Sequence, residues 1–410
     1  MCETERRMQE LKEEILKQIE GEEDVEEERI LEIIDERILR EGKEVYMSLH
    51  MKQQMRKELF NSIRKLDLLQ ELLDDDTVTE IMVNGTEGIF IERQGRIRRW
   101  EKQFTRTKDL ERLVQQIAAG CNRIVNEAVP IVDARLKGGA RVNIVLYPAA
   151  LNGPIITIRR FPERPVTMEQ LIAWETVTEE AAEFLRKLVR AGYNIFISGG
   201  TGSGKTTFLN ALSDSIPKEE RIVTIEDNAE LQIQGAENLV RLEARKGNTE
   251  GKHEITIREL IRASLRMRPD RIIVGEVRGE EAIDMLQSLN TGHDGSLSTG
   301  HGNSPEDMLS RLETMVLMGI ELPVSSIRRQ IASGIDIMVH LGRLRDKSRK
   351  VLEIAELTGY RQETGEILIN RLYEFQESGE RGGQKVEGRL EKCGSLKGKQ
   401  KLLRAGICEW

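Results

Sequence analysis

The sequence predicts an α/β protein in three parts. A helical segment spans residues 1–72, a smaller α+β unit spans 73–162, and an α/β domain with a mostly parallel sheet spans 167–410. Three observations predict this. Apolar residues in the first seventy positions recur three or four apart. The pattern then changes to alternation punctuated by turn residues. Beyond residue 167, helical and extended segments alternate, which implies parallel strands with helices on both faces. A chain of 410 residues also exceeds one ordinary domain.

In the first part, Met8, Leu11, Ile15 and Ile19 mark one helical face, as do Ile30, Ile34 and Ile38, then Met55, Leu59, Ile63 and Leu66. Gly21 and Gly42 are the expected breaks. The acidic run from Glu22 to Glu28 reads as a solvated helix start, because acids favour helix N-termini.

In the second part, Thr79–Val83 and Ile89–Glu92 read as strands around an Asn84-Gly85 turn. A helix is expected over Leu110–Ala119. Arg141–Leu146 and Ile155–Arg160 follow as strands around Gly153-Pro154. Pro162 and Pro165 exclude regular structure and predict a hinge at 163–166.

In the third part, Thr178 caps a helix running to Arg190, with Ala182, Leu185 and Val189 on its inner face and Gly192 as its stop. Strand Tyr193–Ser198, a glycine-rich loop and a helix from Lys205 follow. Strand Arg221–Ile225, helix Ile257–Arg266 and strand Arg271–Val274 continue the alternation.

Composition narrows the function. The net charge of −8 gives no general attraction to nucleic acid or anionic lipid. Aromatics at 4% supply few stacking platforms for single strands. The four cysteines form no CxxC pair, which fits a reducing compartment. The longest uncharged run, Val142–Ile158, contains two prolines, so it reads as strand and turn rather than a membrane helix. With a charged N-terminus, the expected location is cytoplasmic, or at most peripheral to a membrane.

Gly199-Gly200-Thr201-Gly202-Ser203-Gly204-Lys205-Thr206 matches G-x-x-x-x-G-K-[ST], between a strand and a helix, with Thr207 continuing the segment. Glycines let backbone N–H groups turn toward phosphate oxygens, and the helix N-terminus adds its dipole. Lys205 supplies charge to the β- and γ-phosphates of ATP, and Thr206 a hydroxyl to Mg²⁺. Glu276, at the end of Ile272–Val274, is placed to orient or deprotonate a water. The pair Glu226-Asp227 ends another strand. It can hold Mg²⁺ through water, polarise the nucleophile, or cap the next turn. His301 lies in a stretch of small residues, Thr291–Ser304, read as a loop, where a histidine either senses a γ-phosphate or is structural. Arg258, Arg262 and Arg266 fall four apart and read as a solvated face or a charge clamp acting on a neighbouring subunit. Arg135, Arg141, Arg159 and Arg160 concentrate charge before the hinge.

Together these blocks resemble the secretion ATPase superfamily that drives type II secretion, type IV pili and type IV secretion. The CpaF-type ATPase of Flp/Tad pilus systems is the nearest form. The resemblance runs from about Asp75 to Phe375. It rests on Glu80–Gly85, Val132–Arg135 with Arg141–Ile144, the glycine-rich loop, Val223–Asp227 with Glu230-Leu231, and Leu265–Glu276 leading to His301. It implies a RecA-like P-loop NTPase domain after a smaller α+β domain, a homo-hexameric ring, and inner-membrane platform proteins as partners, with no stable nucleic-acid partner. It assigns Lys205 and Thr206 to phosphate and Mg²⁺, Glu226 to the acid box, Glu276 to the catalytic glutamate and His301 to the sensing histidine. One departure is that Gly300 and Gly302 flank His301 where the family often has apolar or Ala neighbours, so a more mobile loop is expected. A nucleic-acid motor on the same core is the competing expectation, and a nucleotide-controlled scaffold a third.

Overall fold

The computed structural model describes residues 3–19, 26–44, 46–93, 95–160, 165–245, 254–382 and 385–408. The chain divides into two compact units, Met1–Pro162 and Glu163–Trp410.

The first unit begins with α1 (Glu3–Ile19), α2 (Glu27–Glu44) and α3 (Leu49–Arg64). Their apolar faces meet in one cluster of Leu11, Ile15, Ile30, Ile34, Ile38, Met55 and Leu59. The break expected at Gly42 falls two residues later, since α2 runs through it to Glu44 and α3 starts at Leu49. A glycine in this last turn costs at most about 1 kcal/mol against Ala. Gly21 lies outside the described residues. Ser48 caps α3, its side chain accepting from the Met51 N–H.

Helix α4 (Leu69–Leu73) leads into β1 (Val78–Asn84), β2 (Gly88–Arg93), β3 (Arg96–Arg99), α5 (Thr107–Gly120), β4 (Ile131–Arg135), β5 (Arg141–Val145) and β6 (Ile155–Arg159). The six strands form one sheet in the order β3-β2-β1-β6-β5-β4, antiparallel throughout. Ile81, Val83, Val142, Ile144, Ile156 and Ile158 alternate onto one face and share a core with Leu110, Val114 and Ile117 of α5. Gly85 closes the β1–β2 turn at φ 55°, and a Cβ there would lie 2.2 Å from the Asn152 carbonyl oxygen, so only glycine fits. Strands β3 and β4 escape a periodicity reading. The residues of β3 are all exposed, so it has no apolar alternation to detect.

The second unit contains α6 (Met168–Ala173), α7 (Glu179–Arg190), β7 (Ile195–Gly199), α8 (Lys205–Ser213), β8 (Arg221–Glu226), β9 (Asn238–Glu243), α9 (Ile257–Ser264), β10 (Arg271–Val277), α10 (Ala282–Asn290), β11 (Leu297–Gly300), α11 (Pro305–Gly319), α12 (Val324–Gly334), β12 (Ile337–Arg343), β13 (Arg349–Arg361), β14 (Glu366–Arg381), β15 (Lys385–Lys392) and α13 (Gln400–Arg404). Its sheet runs β9-β8-β10-β11-β7-β12-β13-β14-β15. The pairings from β9 to β12 are parallel. Those from β12 to β15 are antiparallel. Alternate residues of the parallel strands feed two cores. Ile197, Ile222 and Ile273 pack with α7 and α8, while Phe196, Val223, Ile272 and Val274 pack with α9 to α12. Both faces are therefore covered, as parallel sheets require.

The stretch Thr291–Ser304, expected as a loop, is partly strand. Leu297–Gly300 is the central strand β11, fully buried between β7 and β10. Its small residues hide it from a propensity reading but are needed there. A Cβ on Gly300 would lie 2.9 Å from Phe196 Cζ, and one on Gly302 2.9 Å from Met308 Cβ. These glycines serve close packing. Helix α9 ends at Ser264, so Arg266 lies beyond it. Among the described residues, no helix is long and apolar enough to cross a membrane.

Candidate active site

Strands β7, β8, β10 and β11 run parallel, so their C-terminal ends share one edge, where ligands bind in open α/β sheets. Gly199, Glu226, Glu276 and Gly300 stand at those ends. The glycine-rich loop leaves β7 at Gly199. A Cβ there would meet the Leu341 carbonyl oxygen at 2.4 Å. Gly202 (φ 72°) and Gly204 (φ 94°) take left-handed conformations that turn the backbone into a cradle. Lys205 opens α8 and is buried. Its Nζ donates to the carbonyls of Gly199 and Gly200, each at 3.1 Å. Thr206 and Thr207 follow in the first turn of α8, where N–H groups lack helical partners and suit an anion. Arg349 of β13, not among the expected site residues, donates from Nε to the Gly202 carbonyl at 2.9 Å and fixes the loop from outside. It lies 147 positions away and matches no motif, so only the fold reveals it.

Lys205, His301 and Glu276 form a chain of contacts. Lys205 Nζ lies 3.2 Å from His301 Nδ1, and His301 Nε2 lies 2.8 Å from Glu276 Oε1. Burial, followed by the Lys205 charge, holds the imidazole below its ordinary pKa, although Glu276 pulls the other way. The neutral ring has one donor and one acceptor. An ammonium only donates, so Nδ1 accepts from Lys205 and Nε2–H donates to Glu276. Arg278 completes the network, with Nη2 at 2.8 Å from Asp227 and 3.4 Å from Glu276. Arg278 was also absent from the expectations, although it sits two residues beyond Glu276.

Glu226 behaves differently from Glu276. It is 2% exposed, and its Oε1 accepts the backbone N–H groups of Glu230 and Leu231, both at 2.8 Å. Its Oε2 has no hydrogen-bond partner among the described residues. Burial pushes its pKa up to about 7, against the lowering effect of those N–H bonds. Gly275 makes room for it, since a Cβ there would lie 2.9 Å from Glu226 Cγ. Of the roles expected for the acid pair, capping the next turn is the one with visible hydrogen bonds. Asp227 is the member that pairs with Arg278.

The arginines separate into two kinds. Arg135, Arg141 and Arg159 stand directly opposite one another across β4, β5 and β6, and the row continues to Glu80 on β1. They share the sheet face opposite the apolar core. Arg160 does not join this row. It donates to the carbonyls of Asp75 and Val78 and to Asp76, tying β6 to the start of β1. Arg258 and Arg262 both hold the buried Asp284 of α10, at 2.7 Å each, and Arg258 also reaches Glu280 at 3.0 Å. Arg266 is exposed. The hinge expected at 163–166 falls partly outside the described residues.

Comparison with known proteins covers most of both units. The profile of the "Type II/IV secretion system protein" family matches residues 63–392. A putative conjugal transfer protein of Mycobacterium tuberculosis is 36% identical over 308 residues, covering 73% of this chain and 86% of its own. The type IV secretion system protein PtlH of Bordetella pertussis is 35% identical over 323 residues, covering 70% and 93%. Among solved structures, the ATPase DotB of Yersinia pseudotuberculosis superposes with a TM-score of 0.54 at 17% identity, covering 73% of this chain and 80% of that one. The match across 63–392, together with relatives sharing more than a third of their residues over most of their length, makes this chain a member of the type II/IV secretion system protein family.

Proposed function

We propose that the chain hydrolyses ATP at the edge of the parallel sheet and works as the motor of a pilus or secretion apparatus. The observation that carries this is the contact chain Lys205–His301–Glu276 beside the glycine cradle. The cradle fits a triphosphate, with left-handed glycines, a helix N-terminus and a buried lysine whose ammonium reaches the loop carbonyls and His301. Lys205, Thr206 and the loop N–H groups would hold the phosphates. Mg²⁺ at such sites takes phosphate oxygens and water with one or two protein ligands, here Thr206 and, through water, Asp227, and it supplies charge neutralisation. Glu276 orients the attacking water or takes its proton. His301 reports phosphate occupancy to Glu276, because it touches Lys205 on one side and Glu276 on the other. Glu226 holds the turn that presents Asp227.

The reading extends to assembly. In a homo-hexamer the row Arg135–Arg141–Arg159 supplies positive charge to a nucleotide. Coupling to an inner-membrane platform protein, with the ring peripheral at the cytoplasmic face, turns hydrolysis into work. An Flp/Tad pilus is one destination. Type IV secretion or conjugal transfer is the second, favoured by the conjugal transfer protein of Mycobacterium and the type IV secretion protein of Bordetella among the relatives. A nucleic-acid motor is opposed by the charge of −8. The test is ATP turnover of the purified chain alone, with DNA, and with membranes carrying the platform protein. Stimulation by platform membranes and indifference to DNA are expected. Stimulation by DNA alone would replace this reading.

A further inference from the structure

Strand β12 lies in the core among apolar residues, yet it carries a histidine that no motif singles out. His340 is 6% exposed, flanked by Val339 and Leu341, both fully buried. Burying an imidazole is costly unless its nitrogens are hydrogen-bonded. Both partners of His340 belong to the segments that build the site. Its Nδ1 lies 2.9 Å from Ser198 Oγ, on the residue immediately before the glycine loop and directly opposite in the parallel register. The ring also hydrogen-bonds to the backbone of Asn303, two residues beyond His301, in an interaction that favours the charged ring. The Asn303 carbonyl is therefore the acceptor.

Burial nevertheless keeps the ring neutral at ordinary pH. A neutral ring has a single N–H, and a carbonyl can only accept. The N–H therefore goes to Asn303, and Nδ1 accepts from the Ser198 hydroxyl. The Asn303 N–H is also fixed, donating to Asp307 Oδ2 at 2.8 Å, and the Asp307 N–H in turn donates to Ser304 Oγ, the cap of α11. Both backbone groups of Asn303 are thus held, one from α11 and one from β12. The β12–β13 pairing is irregular at this point. His340 faces Glu353 and Leu341 faces Val351, leaving Leu352 as an extra residue. Such bulges re-aim side chains beside active sites.

We infer that His340 is a positioning residue that sets where His301 stands relative to Lys205 and Glu276, by tying Ser198 at the loop's entry to Asn303 just past His301. The inference rests on the proposed role of His301 in ATP turnover. A change in the phosphate loop reaches His301 through Lys205 from inside the site and through Ser198–His340–Asn303 from behind it.

The test uses the full chain with His340→Ala, His340→Gln, His301→Ala and the Ala/Ala double variant. His340→Ala lowers kcat by about 10²-fold, the scale of a ~1 Å misplacement, and leaves ATP affinity unchanged. His340→Gln, which keeps a donor and an acceptor, restores most of the rate. The double variant is no slower than His301→Ala. With only five histidines in the chain, the His301 ring is followed by selective ¹⁵N labelling without nucleotide. Its resonances shift in His340→Ala and return in His340→Gln. Unmoved His301 resonances, or rate losses that add in the double variant, would overturn the inference. Wild-type turnover by His301→Ala would remove the role of His301 in turnover, and the labelling result would still decide the positioning. Should His340→Ala not fold, Ser198→Ala breaks the same tie and is judged by the same readouts.

Discussion

The two sheets of this protein use buried surface in opposite ways. The antiparallel sheet of the first unit covers one face with α5 and leaves charged residues on the other. Its sequence alternates accordingly. The parallel strands of the second unit are covered on both faces, and the carboxylates of β8 and β10 stand at their C-terminal ends. The comparison teaches where chemistry resides. Glu226 and Glu276 stand where their strands emerge, on the same edge as the cradle. On the polar face of the antiparallel sheet, Arg135, Arg141 and Arg159 stand in register with one another and with Glu80, and like charges placed so close cost stability.

The largest expected effect tests whether that polar face takes part in the chemistry. Arg141→Ala, at the middle of the row, should lower ATP turnover by up to ~10³-fold, the lower end for an arginine acting across subunits. Circular dichroism should show the fold intact, and specific activity of the wild type should rise with protein concentration. Wild-type turnover by Arg141→Ala, with flat specific activity on dilution, would make the second unit self-sufficient.

A smaller effect probes the buried carboxylate. Glu226 has a folded pKa of about 7, above its unfolded value of 4.5. Stability linked to it is therefore present below pH 4.5 and is lost as pH rises through 7. Between pH 5 and pH 8 that loss is about 3 kcal/mol. Glu226→Gln keeps an acceptor for the Glu230 and Leu231 N–H groups but cannot ionise. Its stability relative to wild type should improve by that amount over the same range, measured by urea unfolding. A pH-independent difference would place the carboxylate in a more solvated setting.

The smallest effect separates the helix arginines from the sheet arginines. Asp284→Ala removes the shared partner of Arg258 and Arg262, and should cost about 2 kcal/mol, the scale of hydrogen bonds to charged groups. Arg262→Ala should leave both stability and turnover near wild type, because the retained Arg258 still holds Asp284. A large turnover loss in Arg262→Ala at unchanged stability would move it into the site.

Much of the core was legible because its physics is local. Thr178 caps α7 where expected, and the glycine loop stands between β7 and α8. Lys205, His301 and Glu276 come together although no spacing predicts the contact between them. The illegible parts share a cause: their determinants are distant in sequence. Strand β11 looks like a loop because Gly300 and Ser298 are poor strand formers, and only the crowding of Phe196 and Met308 explains them. Arg349 and His340 touch the loop and the His301 segment across more than thirty positions. The antiparallel strands β13 to β15 extend the sheet through residues that carry no motif.

The central claim is that Glu276 works on the hydrolytic step while Lys205 works on binding. The direct measurement is ATP retention and ATP turnover side by side for Glu276→Gln and Lys205→Ala in the full chain. The account predicts that Glu276→Gln retains ATP while turnover falls by ~10²–10⁴-fold, as for a general base or water-positioning group, and that Lys205→Ala fails to retain ATP at all. Wild-type turnover by Glu276→Gln would contradict it.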